Sequence, residues 1–479
     1  MTARTLTAAS LATMLPPEPL ASPTYASLAD RLRLLIVDGR VVVDQRLPSE
    51  RELAVSLGLS RTTVTAAYGR LRDSGYLRAR RGSGNFVALP HPRSVSGFLP
   101  GAFRTGADQI GWNCASGAAV PGVAAAYARA AHRLPELLVG SGYLPDGLDE
   151  LRERIATWYV GRGLPTDPDQ IVVTTGALSA LTVTVSAVMD RGERLLLESP
   201  TYTNAIEASR RIGVRPVGYP LPEDGWRPGE LARTLDQTGA RAAYLILDHQ
   251  NPTGLTMPDP DRARLAVELR RRQVTTIVDE TLVELALDHG PAVPLAALLP
   301  GAISLGSASK AFWGGLRVGW IRAPHPIVSR LVETRATLDL GTAPLEQLVL
   351  AEVLRDPGPA LTAQRDRLRR QRDHLVRRVA ERLPEWRLRV PEGGLSLWFR
   401  LPLPRSSQLA EAADARGLVI TPGHRFFVEG GGERYVRLPF THPPDVLDEA
   451  VVRLGDAWRA ACTGRPILGH ASSVIDLSA

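Results

Sequence analysis

Lys310 is the only lysine in a chain of 479 residues; the other fifty-six of its 57 Lys and Arg positions are arginine. Arginine carries charge, grips phosphate and pairs carboxylates at least as well as lysine, but its guanidinium stays protonated and delocalised. A lysine amine can lose its proton and attack an aldehyde to form a Schiff base. The single lysine is therefore a candidate covalent anchor. A surface lysine surviving by chance is the plain alternative, and the neighbourhood decides between them. That neighbourhood, GSASKAFWGGLRVGW, holds Ser307, Ser309 and Arg317. Upstream, TTIVDE ends a strand-like run on Asp279, an acid whose burial is costly unless a cation answers it. HQNPTG sets Asn251 on a turn, and ESPTY sets Tyr202 just past a strand, where its ring can stack on a planar ligand. IVVTTGALSAL reads as strand, turn and helix start, so the amides of Gly176, Ala177 and Leu178 form an anion site reinforced by the helix dipole.

The elements that position these residues follow from the pattern beyond Gly111. Strand-like runs IVVTT, RLLLE, AAYLIL, TTIVDE and AISLGS alternate with helical segments, which predicts an α/β domain with a mostly parallel sheet. In such sheets, ligands meet the carboxyl ends of strands, and the polar motifs fall there.

The N-terminal part has another design. Leu28, Leu32, Leu35 and Ile36 recur at helical spacing between Tyr25 and a stop at Gly39. In LPSERELAVSLG, Ser49 is an N-cap, Glu52 completes a capping box, Leu53 and Leu57 face inward and Gly58 closes the helix. A third helix runs from Arg61 towards Gly75; Val64, Tyr68 and Leu71 face inward and leave Arg61, Thr62 and Thr65 on the outside. This is a helix-turn-helix, and YLRARRGSGNFVAL adds a basic hairpin, a wing, around Gly82-Ser83-Gly84. Residues 1–90 hold twelve arginines against seven acidic residues, an excess that points to nucleic acid as partner.

Hydrophobic content of 44% with 22% charged residues fits a globular protein with a sizeable core. Cys114 and Cys462 are too few for a disulfide framework or a structural zinc site, and a reducing compartment fits them. No apolar run reaches the roughly 18 residues of a spanning helix, and PPEP interrupts the N-terminal stretch before a signal core forms. A soluble cytoplasmic protein is expected.

The motifs LPSxRxLA, SRxTVxxAYxxL and GYLxxRxGSGxFV over residues 23–88 resemble the winged helix-turn-helix of the GntR regulator family. The resemblance places Arg51, Arg61, Thr62, Thr65, Arg81 and Gly82 where that family meets DNA. Arginines at a helix N-terminus can reach phosphates or guanine edges, and a wing arginine can enter the minor groove.

From about residue 111 to 460, the order and spacing of motifs resemble the class I aminotransferases, fold type I enzymes dependent on pyridoxal 5′-phosphate. The resemblance implies that Lys310 forms the Schiff base with the cofactor aldehyde and that Asp279 pairs with the pyridine nitrogen. It implies further that Asn251 bonds the ring hydroxyl, that Tyr202 stacks on the ring, and that Gly176, Ala177, Ser307 and Arg317 hold the phosphate. Tyr143 in SGYLPDGLDELR matches a tyrosine that reaches the phosphate of a neighbouring subunit, which implies a homodimer. Arg437 in RYVRLPF matches the arginine that grips a substrate α-carboxylate. PEGGLSLWF and TPGHRFF follow the family's order in a smaller α/β subdomain. One position departs: the family's Asp-x-x-Tyr reads Asp279-x-x-Leu282 here, without the phenol that tunes transamination.

A GntR winged helix ahead of an aminotransferase-like domain is the architecture of the MocR subfamily of bacterial transcription regulators, which the whole chain resembles. The implied organisation is a flexible tail at 1–22, the DNA-binding domain at 23–88, a Pro- and Gly-rich linker at 89–110, the cofactor and dimerisation domain at 111–462 and a tail at 463–479. The implied function is a regulator that senses an amino compound, or pyridoxal phosphate itself, through Lys310. The alternatives are a working aminotransferase with a DNA-binding appendage, and a DNA-binding protein whose second domain only dimerises it.

Overall fold

Ser49 and Glu52 close the predicted capping box: the Glu52 amide donates to Ser49 Oγ at 3.3 Å, and the Ser49 amide donates to the Glu52 carboxylate at 2.8 Å. Helix Glu50–Leu57 then ends on Gly58 at φ 64°, a left-handed conformation that glycine adopts without penalty. Ser60 caps the next helix, Arg61–Asp73, by accepting from the Thr63 amide at 3.1 Å. Thr24–Val37 forms the first predicted helix, and the stop expected at Gly39 falls outside the described residues. The computed structural model describes residues 6–15, 20, 22, 24–37, 40, 41, 45–80, 84–88 and 109–463.

The apolar stripes meet as predicted: Leu28, Leu32, Leu53, Val64, Tyr68 and Leu71 share one buried cluster. The Tyr68 hydroxyl, which burial would otherwise strand, donates to the Pro48 carbonyl at 3.0 Å. Wing strands Leu77–Arg80 and Gly84–Val87 pair antiparallel. Within the stretch expected to be a tail, Ala8–Met14 is instead an α-helix capped by Thr7, with Leu11 fully buried in the same cluster. A helix that short offers too few turns for periodicity to reveal it. The linker expected at 89–110 lies outside the described residues up to 108, and the C-terminal tail does so from 464.

Two compact units make up the chain. The first joins Met1–Gly111 to Arg400–Val436 and Asp456–Ala479. Inside it, Arg33 of helix Thr24–Val37 sets Nη1 3.3 Å from Oε2 of Glu433, and the two residues are only 7% and 2% exposed. Glu433 also accepts from the Ser407 amide at 3.1 Å and from the Ser407 hydroxyl, and His424 Nδ1 lies 3.5 Å from its Oε1.

The second unit, Trp112–Phe399 with Arg437–Gly455, is built on a seven-stranded sheet. Across it run Ile171–Thr174, Gly319–Arg322, Ile303–Ser307, Thr275–Asp279, Ala242–Leu245, Arg194–Ser199 and Arg215–Pro220. All neighbours are parallel except Gly319–Arg322, which runs against both of its own. Strands Ile171–Thr174, Ala242–Leu245 and Ile303–Ser307 are buried along their whole length, as expected of a sheet covered on both faces. The antiparallel strand fits only because its partner is small: a Cβ on Gly306 would lie 2.1 Å from the Trp320 ring opposite it. Among the described residues no helix is long and apolar enough to cross a membrane.

Candidate functional site

The carboxyl ends of adjacent parallel strands deliver the predicted residues to one edge of the sheet. Asp279 ends Thr275–Asp279, and Ile303–Ser307 beside it leads directly into the short helix Ala308–Ala311 that carries Lys310. Ala242–Leu245 leads to Asn251, and Arg194–Ser199 leads to Tyr202, which caps helix Thr203–Ile212. The antiparallel strand completes the edge, because Gly319 stands opposite both Ser307 and Thr174. A Cβ at 319 would meet the Gly176 carbonyl carbon at 2.6 Å, so this close approach requires glycine.

Lys310 is half-buried and its Nζ donates to the Ala115 carbonyl at 2.7 Å. Burial is the largest influence on its pKa and lowers it; Cys114 opposes this, while the cations Arg437 and Arg317 lower it further. Asp279 is 8% exposed and well supplied with donors: Tyr244 Oη donates to Oδ2 at 2.5 Å and the Thr281 amide to Oδ1 at 2.9 Å. Asn251 Oδ1 accepts from Arg437 Nη1 at 3.0 Å, and Arg437 Nη2 donates to the Asn113 carbonyl at 2.5 Å. Burial drops the Arg437 pKa to about 10. Tyr202 accepts from Asn204 Nδ2 at 2.9 Å, and burial pushes its phenol up to about 12. Its ring therefore stays neutral at physiological pH.

Gly176 caps helix Ala177–Val188 at φ 88°, and a Cβ there would lie 2.8 Å from Arg317 Nη2. Arg317, itself at φ 50°, donates from Nη2 to the Thr175 carbonyl at 3.3 Å. Gly176, Ala177 and Arg317 thus form a cationic cradle at a helix N-terminus. Ser307 caps the lysine-bearing helix by accepting from the Ser309 amide at 3.2 Å. The hydroxyl left over is that of Ser309, buried and without a hydrogen-bond partner. Tyr143 stands differently: it is 68% exposed and its side chain makes no hydrogen bond among the described residues. Leu282 precedes the short helical turn Val283–Leu285, half-buried, with no polar atom to offer.

Sequence reasoning missed Tyr244, Asn113 and His249. Tyr244 lies mid-run in AAYLIL, and only strand adjacency brings it to Asp279. His249, at φ 48°, packs where a Cβ on Gly393 would collide with its ring at 2.3 Å. That contact explains the glycine pair in PEGG. Burial holds the His249 pKa at about 4, so it stays neutral against the Thr256 hydroxyl 3.1 Å from Nδ1.

On the helix-turn-helix, Arg51, Arg61, Thr62 and Thr65 are all exposed. Thr65 donates to Glu50 Oε2 at 2.9 Å and Thr62 Oγ1 lies 2.8 Å from Ser60 Oγ, so these hydroxyls brace the turn between the helices. The arginines are the freer candidates for phosphate or base contacts. Arg81 and Gly82 lie outside the described residues.

Residues 139–454 match the family model for aminotransferase class I and II, and residues 24–87 match that for bacterial regulatory proteins of the gntR family. An uncharacterised HTH-type transcriptional regulator of Bacillus subtilis, YisV, is 27% identical over 454 residues, covering 88% of this chain and 92% of its own. The HTH-type pyridoxine biosynthesis transcriptional regulator PdxR of Corynebacterium glutamicum is 28% identical, with coverage of 92% and 97%. Among solved structures, the α-aminoadipate aminotransferase LysN of Thermus thermophilus, complexed with N-(5′-phosphopyridoxyl)-L-leucine, superposes with a TM-score of 0.68. It is 29% identical, covering 74% of this chain and 94% of that one.

Proposed function

The chain belongs to the class I and II aminotransferase family and carries a GntR-type helix-turn-helix domain ahead of it, the MocR architecture, and from this premise we propose that it is a DNA-binding transcription regulator whose pyridoxal 5′-phosphate site senses an amino compound. The observation that carries the reading is Lys310, the chain's only lysine, on the short helix that follows the strand paired with the one ending in Asp279.

The residues fit the cofactor. Ser309 supplies a buried hydroxyl without a protein partner, and Gly176 with Arg317 supplies a cradle for a phosphate. When bound, the cofactor supplies an aldehyde for an amine and an electron-withdrawing ring. Lys310 is suited to meet that aldehyde because burial and nearby cations favour its neutral, nucleophilic form. Asp279, held by Tyr244 and the Thr281 amide, is oriented to keep a proton on a ring nitrogen. Arg437 is poised for the carboxylate of an incoming amino compound, which would replace its present partners, Asn251 Oδ1 and the Asn113 carbonyl. Leu282 leaves the ring hydroxyl without a phenol, which favours sensing over turnover.

A homodimer completes the proposal. Tyr143 is exposed beside Leu138 and Val139, which are 71% and 93% exposed, a run of apolar surface suited to a second copy. Visible absorption tests the cofactor reading. Protein incubated with pyridoxal phosphate and desalted should retain a visible band that Lys310→Arg lacks; identical spectra from the two proteins would refute it.

A further inference from the structure

The cavity beside Lys310 holds a second cation. It is a partly open pocket lined by Ser116, Gly117, Lys310, Arg367, Leu395 and Thr441, among others. Arg367 stands on helix Gly358–Arg382, where several neighbouring arginines have acidic partners: Arg365 with Glu284, Arg369 with Asp366 and Arg372 with Asp288. Arg367 has none among the described residues. Its Nη2 donates to the Ala118 carbonyl at 3.2 Å and to Gln364 Oε1, while its Nε is buried with no partner. Burial alone shifts its pKa, downward, with no anion opposing. The hydroxyl of Thr441, on the same cavity wall, is also buried and unpartnered. At position 117 a Cβ would stand 3.2 Å from Arg367 Nη2, so glycine keeps this guanidinium uncrowded.

One stretch of backbone ties this cation to the site already described. The carbonyls of Asn113, Ala115 and Ala118 accept from Arg437, Lys310 and Arg367 respectively. That is the order in which an acidic amino acid presents its α-carboxylate, its α-amino group and its side-chain carboxylate. A half-buried guanidinium with an unpartnered Nε is stabilised by a carboxylate, and a neutral side chain leaves it unanswered.

We propose that Arg367, assisted by Thr441, receives the side-chain carboxylate of an acidic amino acid, which makes that class the compound sensed. This rests on the function proposed above and narrows it. The same site would discriminate by charge rather than by size, since loss of one charge-assisted pair weakens binding far more than a change of one methylene.

The test is a spectral titration of the protein loaded with pyridoxal phosphate, using L-glutamate against L-glutamine and L-2-aminoadipate against L-norleucine. In at least one pair the acidic member should reach its half-maximal change at a concentration about tenfold lower or more. Arg367→Gln should abolish that preference, and Arg367→Lys should restore part of it; a retained visible band in both variants reports an intact site. Equal half-saturation within both pairs, or a preference that survives Arg367→Gln, overturns the assignment and leaves the cofactor-sensing function standing. A wild-type protein that carries the band yet responds to none of these amino acids overturns both.

Discussion

Tyr244 shows how much of a site rests on residues with no chemistry of their own to advertise. Its hydroxyl is buried and donates to Asp279, so the acid is held in one orientation before any ligand arrives. Asp279 and Asn251 stood out in the sequence because each sits in a motif at a strand end or turn, Lys310 because it is the only lysine, and Arg437 because of the motif RYVRLPF. Tyr244 and Asn113 did not, because their roles depend on which strand lies beside which and on which carbonyl faces an arginine. Asp279→Ala should reveal the coupling. It leaves the Tyr244 hydroxyl buried without its acceptor, which costs about 1–3 kcal/mol, and denaturant unfolding of the cofactor-free protein should show the loss. Asp279→Asn keeps an acceptor and should preserve most of that stability while still weakening retention of pyridoxal phosphate. Equal stability of the two variants would contradict the role given to Tyr244.

At the scale of elements, local rules carried most of the prediction. The capping box at Ser49, the αL stop at Gly58 and the parallel strands all appear where side-chain pattern and turn chemistry put them. Other elements, strand Arg215–Pro220 among them, were not named from the sequence, two of them for physical reasons. Helix Ala8–Met14 is too short to show a period, and strand Gly319–Arg322 reverses direction to lie between Ile303–Ser307 and the distant Ile171–Thr174, a placement no local pattern encodes. The turn at Gly176 is where backbone and chemistry meet. At φ 88° and ψ 167° it occupies a region that only glycine enters freely, and its missing Cβ makes room for Arg317. Gly176→Ala should therefore lower stability by about 1–3 kcal/mol and displace Arg317. Equilibrium dialysis should show weaker retention of pyridoxal phosphate; wild-type affinity would mean that the cradle does not hold the phosphate.

Over the whole molecule, the division into compact units is the feature the sequence concealed most completely, since 400 residues separate Arg33 from its partner Glu433. Burial pushes the Glu433 carboxyl up, but the His424 hydrogen bond, the Arg33 charge and the Ser407 hydrogen bond outweigh it and leave the pKa below the ordinary value. A carboxyl depressed in the folded state contributes stability above its unfolded pKa, and that contribution is lost as pH falls through the folded pKa. Arg33→Met strands the buried carboxylate and should cost about 3–5 kcal/mol at neutral pH. It should also narrow the stability difference from wild type as the pH is lowered into the acid range, where Glu433 is protonated in both. A difference independent of pH would contradict the pair's role. Arg33 belongs to the helix-turn-helix domain and Glu433 to the C-terminal part of the same compact unit, whereas the proposed amino-compound sensing rests on residues of the second unit. The most direct test of that sensing is the affinity of the protein for a duplex it selects from a random pool, measured stripped of cofactor, loaded with pyridoxal phosphate, and loaded with L-glutamate added. Wild-type affinity should change by about tenfold or more on at least one addition, a coupling of roughly 1.4 kcal/mol, whereas Lys310→Arg should bind the duplex but ignore both additions. A wild-type protein that does not respond, or a Lys310→Arg protein that responds equally, would contradict the account.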